Sequence, residues 1–71
     1  MNKENAMIPN LNKNEIAIIR MLRRGMDSEQ MAQELCLSVE TIYWYRKQLL
    51  KKFEVKSVAA VVASAIEQKL I

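Results

Sequence analysis

The residues best suited to chemistry in this sequence form one basic and aromatic stripe, Trp44, Lys47 and Lys51, in the stretch from Ser38 to Phe53. Their spacing of three and four residues places them on one face of a helix. Lysine ammonium groups can bind phosphates and base-edge acceptors, and an indole adds an apolar surface and one N–H donor. A face turned to water needs no large apolar ring, so the stripe is typical of a helix that enters a DNA groove. An ordinary solvated lysine-rich face is the alternative interpretation.

The same stretch must also have a side that faces a core. Ser38 can cap its first turn, and no Gly or Pro interrupts it. At about 100° per residue, the side opposite the stripe collects the apolar residues Val39, Ile42, Tyr45, Leu49 and Phe53. We therefore expect the stripe to be exposed, with Tyr43 at one flank and Thr41 and Lys52 at the other.

Composition makes most enzyme classes unlikely candidates for this small chain. The 71 residues contain one cysteine, Cys36, and no histidine, so an internal disulfide is excluded and a zinc site or a histidine-based triad lacks ligands. There is no cofactor-binding loop and no paired acid and base, which predicts no cofactor and no enzymatic activity. No segment has the length of a signal peptide or of a membrane span, so we expect a cytoplasmic protein that does not bind membranes.

The net charge of +3 is concentrated in one part of the chain. Residues 38–56 hold five basic and two acidic side chains, which account for the whole excess, while the charges elsewhere cancel. The predicted helix is therefore the one region with the charge expected of a nucleic-acid surface.

Three further helices are predicted around this one. Residues 1–10 are polar and include the only proline, so we interpret them as a flexible lead-in or linker. Capping-box spacings at Asn12–Glu15 and Asp27–Gln30 predict two helix starts, and Gly25 can end the first helix in a left-handed conformation. The second helix is so short, and so close to Ser38, that the next helix must cross it steeply, as in a helix-turn-helix. A helical hairpin within a bundle is the alternative.

The last helix is predicted to begin at the cap Ser57. Its inward side can hold Val58, Val61, Val62, Ala65, Ile66 and Leu70. Its opposite side carries the small residues Ala59, Ala60, Ala63 and Ser64. Small residues let another helix approach closely, so this side is a candidate homodimer contact; the alternative is that alanine is there because it favours helix.

From Leu11 to Ile71 the sequence resembles the LuxR/GerE-type helix-turn-helix domain of bacterial transcription regulators. The resemblance is carried by Leu11, Glu15, Gly25, Met31, Ala32, Leu35, Ser38, Thr41, Ile42, Leu49, Lys52, Phe53, Val55, Leu70 and Ile71. It implies an all-α, four-helix helix-turn-helix domain over residues 11–71, with the third helix in the major groove of double-stranded DNA. It also implies a dimer contact through the fourth helix.

The resemblance also implies roles for single residues. Base-reading positions fall on Tyr43, Trp44 and Lys47, and phosphate-contacting positions fall on Thr41, Lys52 and Ser57. The basic side chains Arg46 and Lys51 complete the predicted DNA-binding set. The sequence departs from the family pattern at Asn12–Asn14, where Thr-Pro-Arg is usual, at Glu54 for glycine, at Tyr45 for histidine and at Glu29 for a basic residue. We expect Tyr45 to alter packing more than readout.

These patterns together predict a sequence-specific DNA-binding transcription regulator. The alternative is a protein-interaction module that keeps the fold and uses Tyr43 and Trp44 to bind a protein partner, since aromatic residues also anchor protein interfaces. A third interpretation of Trp44 is that it packs against a neighbouring domain. Family members usually carry a sensory domain, and none is present in this chain, so it is either a stand-alone regulator or an output domain.

Overall fold

The computed structural model describes residues 9–71, which form four helices joined by short loops. These helices are α1 (Lys13–Arg23), α2 (Ser28–Leu35), α3 (Val39–Phe53) and α4 (Val58–Glu67). No strand occurs between residues 9 and 71, which confirms the predicted all-α, four-helix class. Of the predicted lead-in, only Pro9 and Asn10 fall within the described residues, and both precede the first helix.

Both predicted capping boxes are present. The side chain of Asn12 accepts a hydrogen bond from the Glu15 amide at 2.8 Å, and Glu15 Oε1 accepts one from the Asn12 amide at 3.0 Å. Asp27 and Gln30 make the same reciprocal pair, both at 2.9 Å. These bonds satisfy amides that have no partner within the helix, and they fix where α1 and α2 begin.

The last two helices begin at the predicted serine caps. Ser38 Oγ accepts from the amide of Thr41, and Ser57 Oγ accepts from the amide of Ala60, both at 3.1 Å. Each serine has extended backbone angles, so the chain changes direction there and then enters the helix. Sequence and structure therefore agree on the start of α3, the helix that carries the basic and aromatic stripe.

A left-handed residue follows each of the four helices, and three of these residues, Cys36, Glu54 and Lys69, are not glycine. Gly25 follows α1 with φ of +80°, as predicted. Cys36 and Glu54 end α2 and α3 with φ of 57° each. At the end of α3 the Val55 amide donates to the Leu50 carbonyl at 3.0 Å, which closes a Schellman motif. The left-handed conformation costs a residue with a Cβ roughly 1 to 2 kcal/mol. The backbone is therefore strained at Cys36, just before α3, and at Glu54, just after it.

The core is formed by one row of side chains from each helix. The buried apolar residues are Ile18, Ile19, Met21, Met31, Ala32, Ile42, Leu49, Val61 and Ala65. α3 packs against both α2 and α4, and α1 packs against α4. Ile42 and Leu49 confirm the predicted core side of α3, and α1 contributes Ile18, Ile19 and Met21. This arrangement holds α3 with one side buried between two helices.

One predicted core residue of α4 is not in the core. Ile66 was predicted to face inward, but its side chain is 43% exposed. The buried row of α4 runs through Val61 and Ala65, and Ile66 lies about 100° away from Ala65 around the helix. The chain then turns back, as the Leu70 amide donates to the Ala65 carbonyl at 2.8 Å, and Leu70 packs against the core.

Replacing Glu54 by glycine should stabilise the domain by about 1 kcal/mol, because glycine adopts the left-handed conformation without the Cβ clash. Urea unfolding monitored by circular dichroism measures the change. Glu54→Ala is the matched control, because it removes the carboxylate but keeps the Cβ. Equal stabilisation by both variants would show that the charge, and not the backbone, causes the gain.

Candidate nucleic-acid interface

The outward face of α3 is exposed along the whole predicted stripe. The side chain of Trp44 is 56% exposed and that of Tyr43 is 52% exposed. Lys47 and Lys51 are also exposed. On the opposite side, Ile42 and Leu49 are completely buried, so the orientation of the helix about its own axis is fixed by packing. The structure therefore places the basic and aromatic residues where a groove could reach them.

Tyr45 is half-buried and lies at the boundary between the exposed side and the buried side of α3. Its ring lies 5.2 Å from that of Trp44, centre to centre, with an angle of 69° between the ring planes. Its hydroxyl accepts a hydrogen bond from Asn14 Nδ2 at 3.2 Å. An edge-on aromatic contact of this kind restrains the indole of Trp44, and the hydroxyl ties α3 to the first turn of α1. The expectation that Tyr45 affects packing agrees with these contacts.

Arg46 holds α2 against α3. Its Nη1 donates to Ser28 Oγ at 2.9 Å, and the side chain of Ser28 is buried. Arg46 is half-buried, and with Ser28 it lines a depression of about 370 Å³ whose rim carries Asp27, Glu29 and Tyr43. Arg46 was predicted to contact DNA, but its guanidinium group already donates to Ser28 within the domain. Because Asp27 and Glu29 are acidic, the basic surface of α3 does not continue across this depression.

Lys52 also has internal partners. Its Nζ lies 2.7 Å from Glu15 Oε1, and it donates to the carbonyl of Asn10 at 3.0 Å. The side chain of Glu15 is only 2% exposed, whereas that of Lys52 is 33% exposed. Lys52 was predicted to contact a phosphate, and its ion pair with Glu15 was not predicted. The one signal for it was a carboxylate, Glu15, on the same face of α1 as Ile18 and Ile19, since a buried charge needs a partner.

The two predicted phosphate-contacting hydroxyls lie at helix starts. Thr41 is half-buried, and its Oγ1 lies 2.9 Å from Ser38 Oγ. Ser57 is exposed where it caps α4. Each hydroxyl therefore already takes part in a cap. Ser57 Oγ only accepts in its cap, so its single donor can still reach a phosphate oxygen, and Thr41 can do the same when Ser38 is the donor of their shared bond.

The small-residue face of α4 is only partly exposed. Ala59 and Ala63 face solvent, whereas Ala60 and Ser64 are half-buried. Ser64 Oγ accepts from the side chain of Gln68 at 2.9 Å. The exposed Ile66 lies three residues beyond Ala63, so the two side chains share one side of the helix.

Residues 9–71 contain neither a candidate metal site nor a helix that could span a membrane. No group of three or more His, Cys, Asp or Glu side chains in this part of the chain could hold a metal ion. None of the four helices is long and apolar enough to cross a membrane. Every buried side-chain nitrogen or oxygen in the same residues has a hydrogen-bond partner.

Replacing Lys52 by methionine should destabilise the domain by about 2 to 4 kcal/mol, because the Glu15 carboxylate would stay buried without its counter-charge. Lys51→Met is the matched control, since it changes the adjacent, exposed lysine and should cost less than about 0.5 kcal/mol. Urea unfolding of both variants gives the comparison.

The double variant Glu15→Gln with Lys52→Met provides a second check on this ion pair. Glutamine keeps the capping bond of α1 while removing the buried charge, so the double variant should recover about half or more of the lost stability. A stable Lys52→Met variant whose DNA binding depends less steeply on salt would instead support the phosphate contact predicted from sequence.

Comparison with known proteins agrees with this architecture. The family model of the bacterial regulatory proteins of the luxR family, GerE, matches residues 9–65. The transcriptional activator protein ExaE of Pseudomonas putida is 37% identical over 67 residues, which cover 94% of this chain and 31% of that protein. The DNA-binding transcriptional activator EvgA of Escherichia coli is 29% identical over 63 residues, covering 89% of this chain and 31% of EvgA.

The oxygen regulatory protein NreC of Staphylococcus carnosus is 28% identical over 61 residues, which cover 86% of this chain and 28% of NreC. The chain thus spans about a third of the length of the curated relatives it matches. The family model covers most of the chain, including all of α1 to α3. The chain therefore belongs to the LuxR family of bacterial regulatory proteins.

Proposed function

We propose that this chain is a sequence-specific DNA-binding domain of a transcription regulator, and that α3 enters the major groove. The observation that carries the proposal is the two-sided character of α3. Trp44, Lys47 and Lys51 are exposed on one side, and the other side is fixed in the core by Ile42 and Leu49. A helix held rigidly in this way presents its outer side chains at defined positions, as base readout requires.

Within this proposal, Trp44 and Lys47 read bases, with Tyr43 beside them. Lysine can donate to O6 and N7 of guanine, and the indole can contact a thymine methyl group and donate to one acceptor. The edge-on contact with Tyr45 supports a base-reading role for Trp44, because a restrained indole loses less entropy on binding.

The remaining members of the predicted set divide into two groups. Lys51, Thr41 and Ser57 are proposed to contact phosphates, since they are at least partly exposed and retain free donors. We assign Arg46 to holding α2 against α3 and Lys52 to holding α1 against α3, because each already has an internal hydrogen-bond partner.

We further propose that the protein binds DNA as a homodimer through the exposed side of α4. Ala59 and Ala63 are small enough for a close helix approach, and the exposed Ile66 adds an apolar contact beside them. Ala60 and Ser64, which are half-buried, would lie at the rim of that contact.

The second candidate function is a protein-interaction module that uses Tyr43 and Trp44. The exposure of Tyr43 and Trp44 favours it. Aromatic side chains that become buried when a partner binds are common anchors of protein interfaces. The exposed lysines beside them favour DNA. The two candidates differ in salt dependence, since phosphate contacts make affinity fall steeply with salt and an aromatic anchor does not.

The names of the relatives support a role in transcription, and their greater length supports a larger regulator. ExaE and EvgA are named as transcriptional activators. We propose that this chain acts as the output domain of such a regulator, in the cytoplasm, where it meets DNA.

Lys47→Ala should weaken binding to the preferred half-site by about 1 to 3 kcal/mol and relax the preference at one base position. The half-site is first selected from random duplex DNA, and each variant is then measured on every single-base change of that site. Trp44→Ala should relax a neighbouring position. Lys13→Ala, which neutralises an exposed lysine of α1, is the control and should leave the pattern of preferences unchanged.

Even losses across all sites for both Lys47→Ala and Trp44→Ala would remove base readout from this face. Failure to select any sequence, together with weak salt dependence, would favour the protein-interaction module.

Ala63→Glu should reduce cooperative binding to an operator with two half-sites about tenfold or more, because it places a charge in the proposed apolar contact. Affinity for a single half-site should change little. Ala63→Ser is the matched control, since it keeps the small volume. Gel-shift titrations on the two DNA constructs separate the effects, and equal losses on both would place Ala63 outside a dimer contact.

A further inference from the structure

A second basic surface lies at the carboxyl end of α1, away from the helix-turn-helix. Three of the four arginines of the sequence, Arg20, Arg23 and Arg24, are within five residues of each other, and all three are exposed. Together with the half-buried Ile71 they line a depression of about 420 Å³. We call this surface the arginine cluster.

Within the described residues, no carboxylate pairs with a guanidinium group of the arginine cluster. Among residues 9–71 the sole ion pair joins Lys52 to Glu15. Arg23 and Arg24 lie three and four residues after Arg20, a spacing at which like charges repel each other along a helix. The negative end of the α1 dipole reduces that cost but leaves the donor groups free. The cluster is therefore a concentrated positive surface without an internal use.

The arginine cluster differs chemically from the stripe on α3. The exposed cations of α3 are lysines, whereas those of this surface are arginines. No residue that lines the depression belongs to α2 or α3. A planar guanidinium can form two parallel hydrogen bonds to one carboxylate, which an ammonium group cannot do. The two surfaces thus suit different ligands.

We propose that the arginine cluster binds an acidic segment of a protein partner while α3 is on DNA. The segment carries two or more carboxylates for the guanidinium groups and an aliphatic side chain that covers Ile71. This apolar floor favours a protein partner over a second stretch of DNA, because the sugar-phosphate backbone offers charge and sugar edges but no branched aliphatic side chain to bury there. Binding of an acidic segment at the arginine cluster does not depend on base readout by α3, so either activity can be absent without the other.

The test uses the peptide acetyl-Glu-Asp-Leu-Asp-Glu-amide and the ¹⁵N-labelled chain, with and without its half-site duplex. Saturable changes in amide chemical shift should concentrate at residues 20–25 and 69–71. Arg23→Ala should weaken peptide binding about fivefold, and Arg23→Lys should weaken it nearly as much, since lysine keeps the charge but loses the paired geometry. Lys13→Ala is the matched control for charge on the same helix and should change it less than about twofold.

A second peptide with serine in place of leucine tests the apolar floor and should bind about threefold more weakly. Half-site affinity should be the same for Arg23→Ala and the unmodified chain. The proposal is overturned by shifts centred on α3, by equal weakening from Arg23→Ala and Lys13→Ala, or by the absence of saturable shifts. A loss of DNA affinity in Arg23→Ala with a flatter salt dependence would also overturn it, because the arginines would then be phosphate contacts.

Discussion

The ion pair between Glu15 and Lys52 is the constraint on which the arrangement of the helices depends. A carboxylate that is 2% exposed requires a counter-charge, and the lysine that supplies it lies 37 residues further along the chain. The same carboxylate oxygen also accepts the Asn12 amide and so completes the cap of α1. One side chain therefore sets where α1 begins and how the carboxyl end of α3 lies against it.

With that end fixed, α3 needs only a few further contacts to take a single orientation. Ile42 and Leu49 bury one side, Tyr45 reaches Asn14 of α1, and Arg46 reaches Ser28 of α2. Two of these contacts are hydrogen bonds, one made by Tyr45 on the predicted core side and one by Arg46, which was predicted to contact DNA. A domain this small buries a modest apolar area, so such polar ties supply part of the rigidity that a larger core would provide.

Local signals in the sequence predicted the fold well. The helix starts rest on short-range pairs such as Asn12 with Glu15, and the core side of α3 rests on helical periodicity, so neither needs knowledge of distant residues. The partners of Lys52 and Arg46 were not predictable in this way, because they depend on how helices far apart in sequence cross. Arg46 was therefore assigned to DNA from its charge, and Lys52 from the family resemblance. Ile66 was misplaced because periodicity near the end of a helix does not show where the chain turns back.

Lys52 also has a mechanical consequence. The ammonium group that neutralises Glu15 also holds the carbonyl of Asn10, the residue just ahead of Leu11 and the first cap. A force on the backbone at Asn10 would therefore reach α3 through Lys52, as well as α1 and the core through Leu11. Lys52 is therefore a mechanical link between the backbone at Asn10 and the carboxyl end of α3.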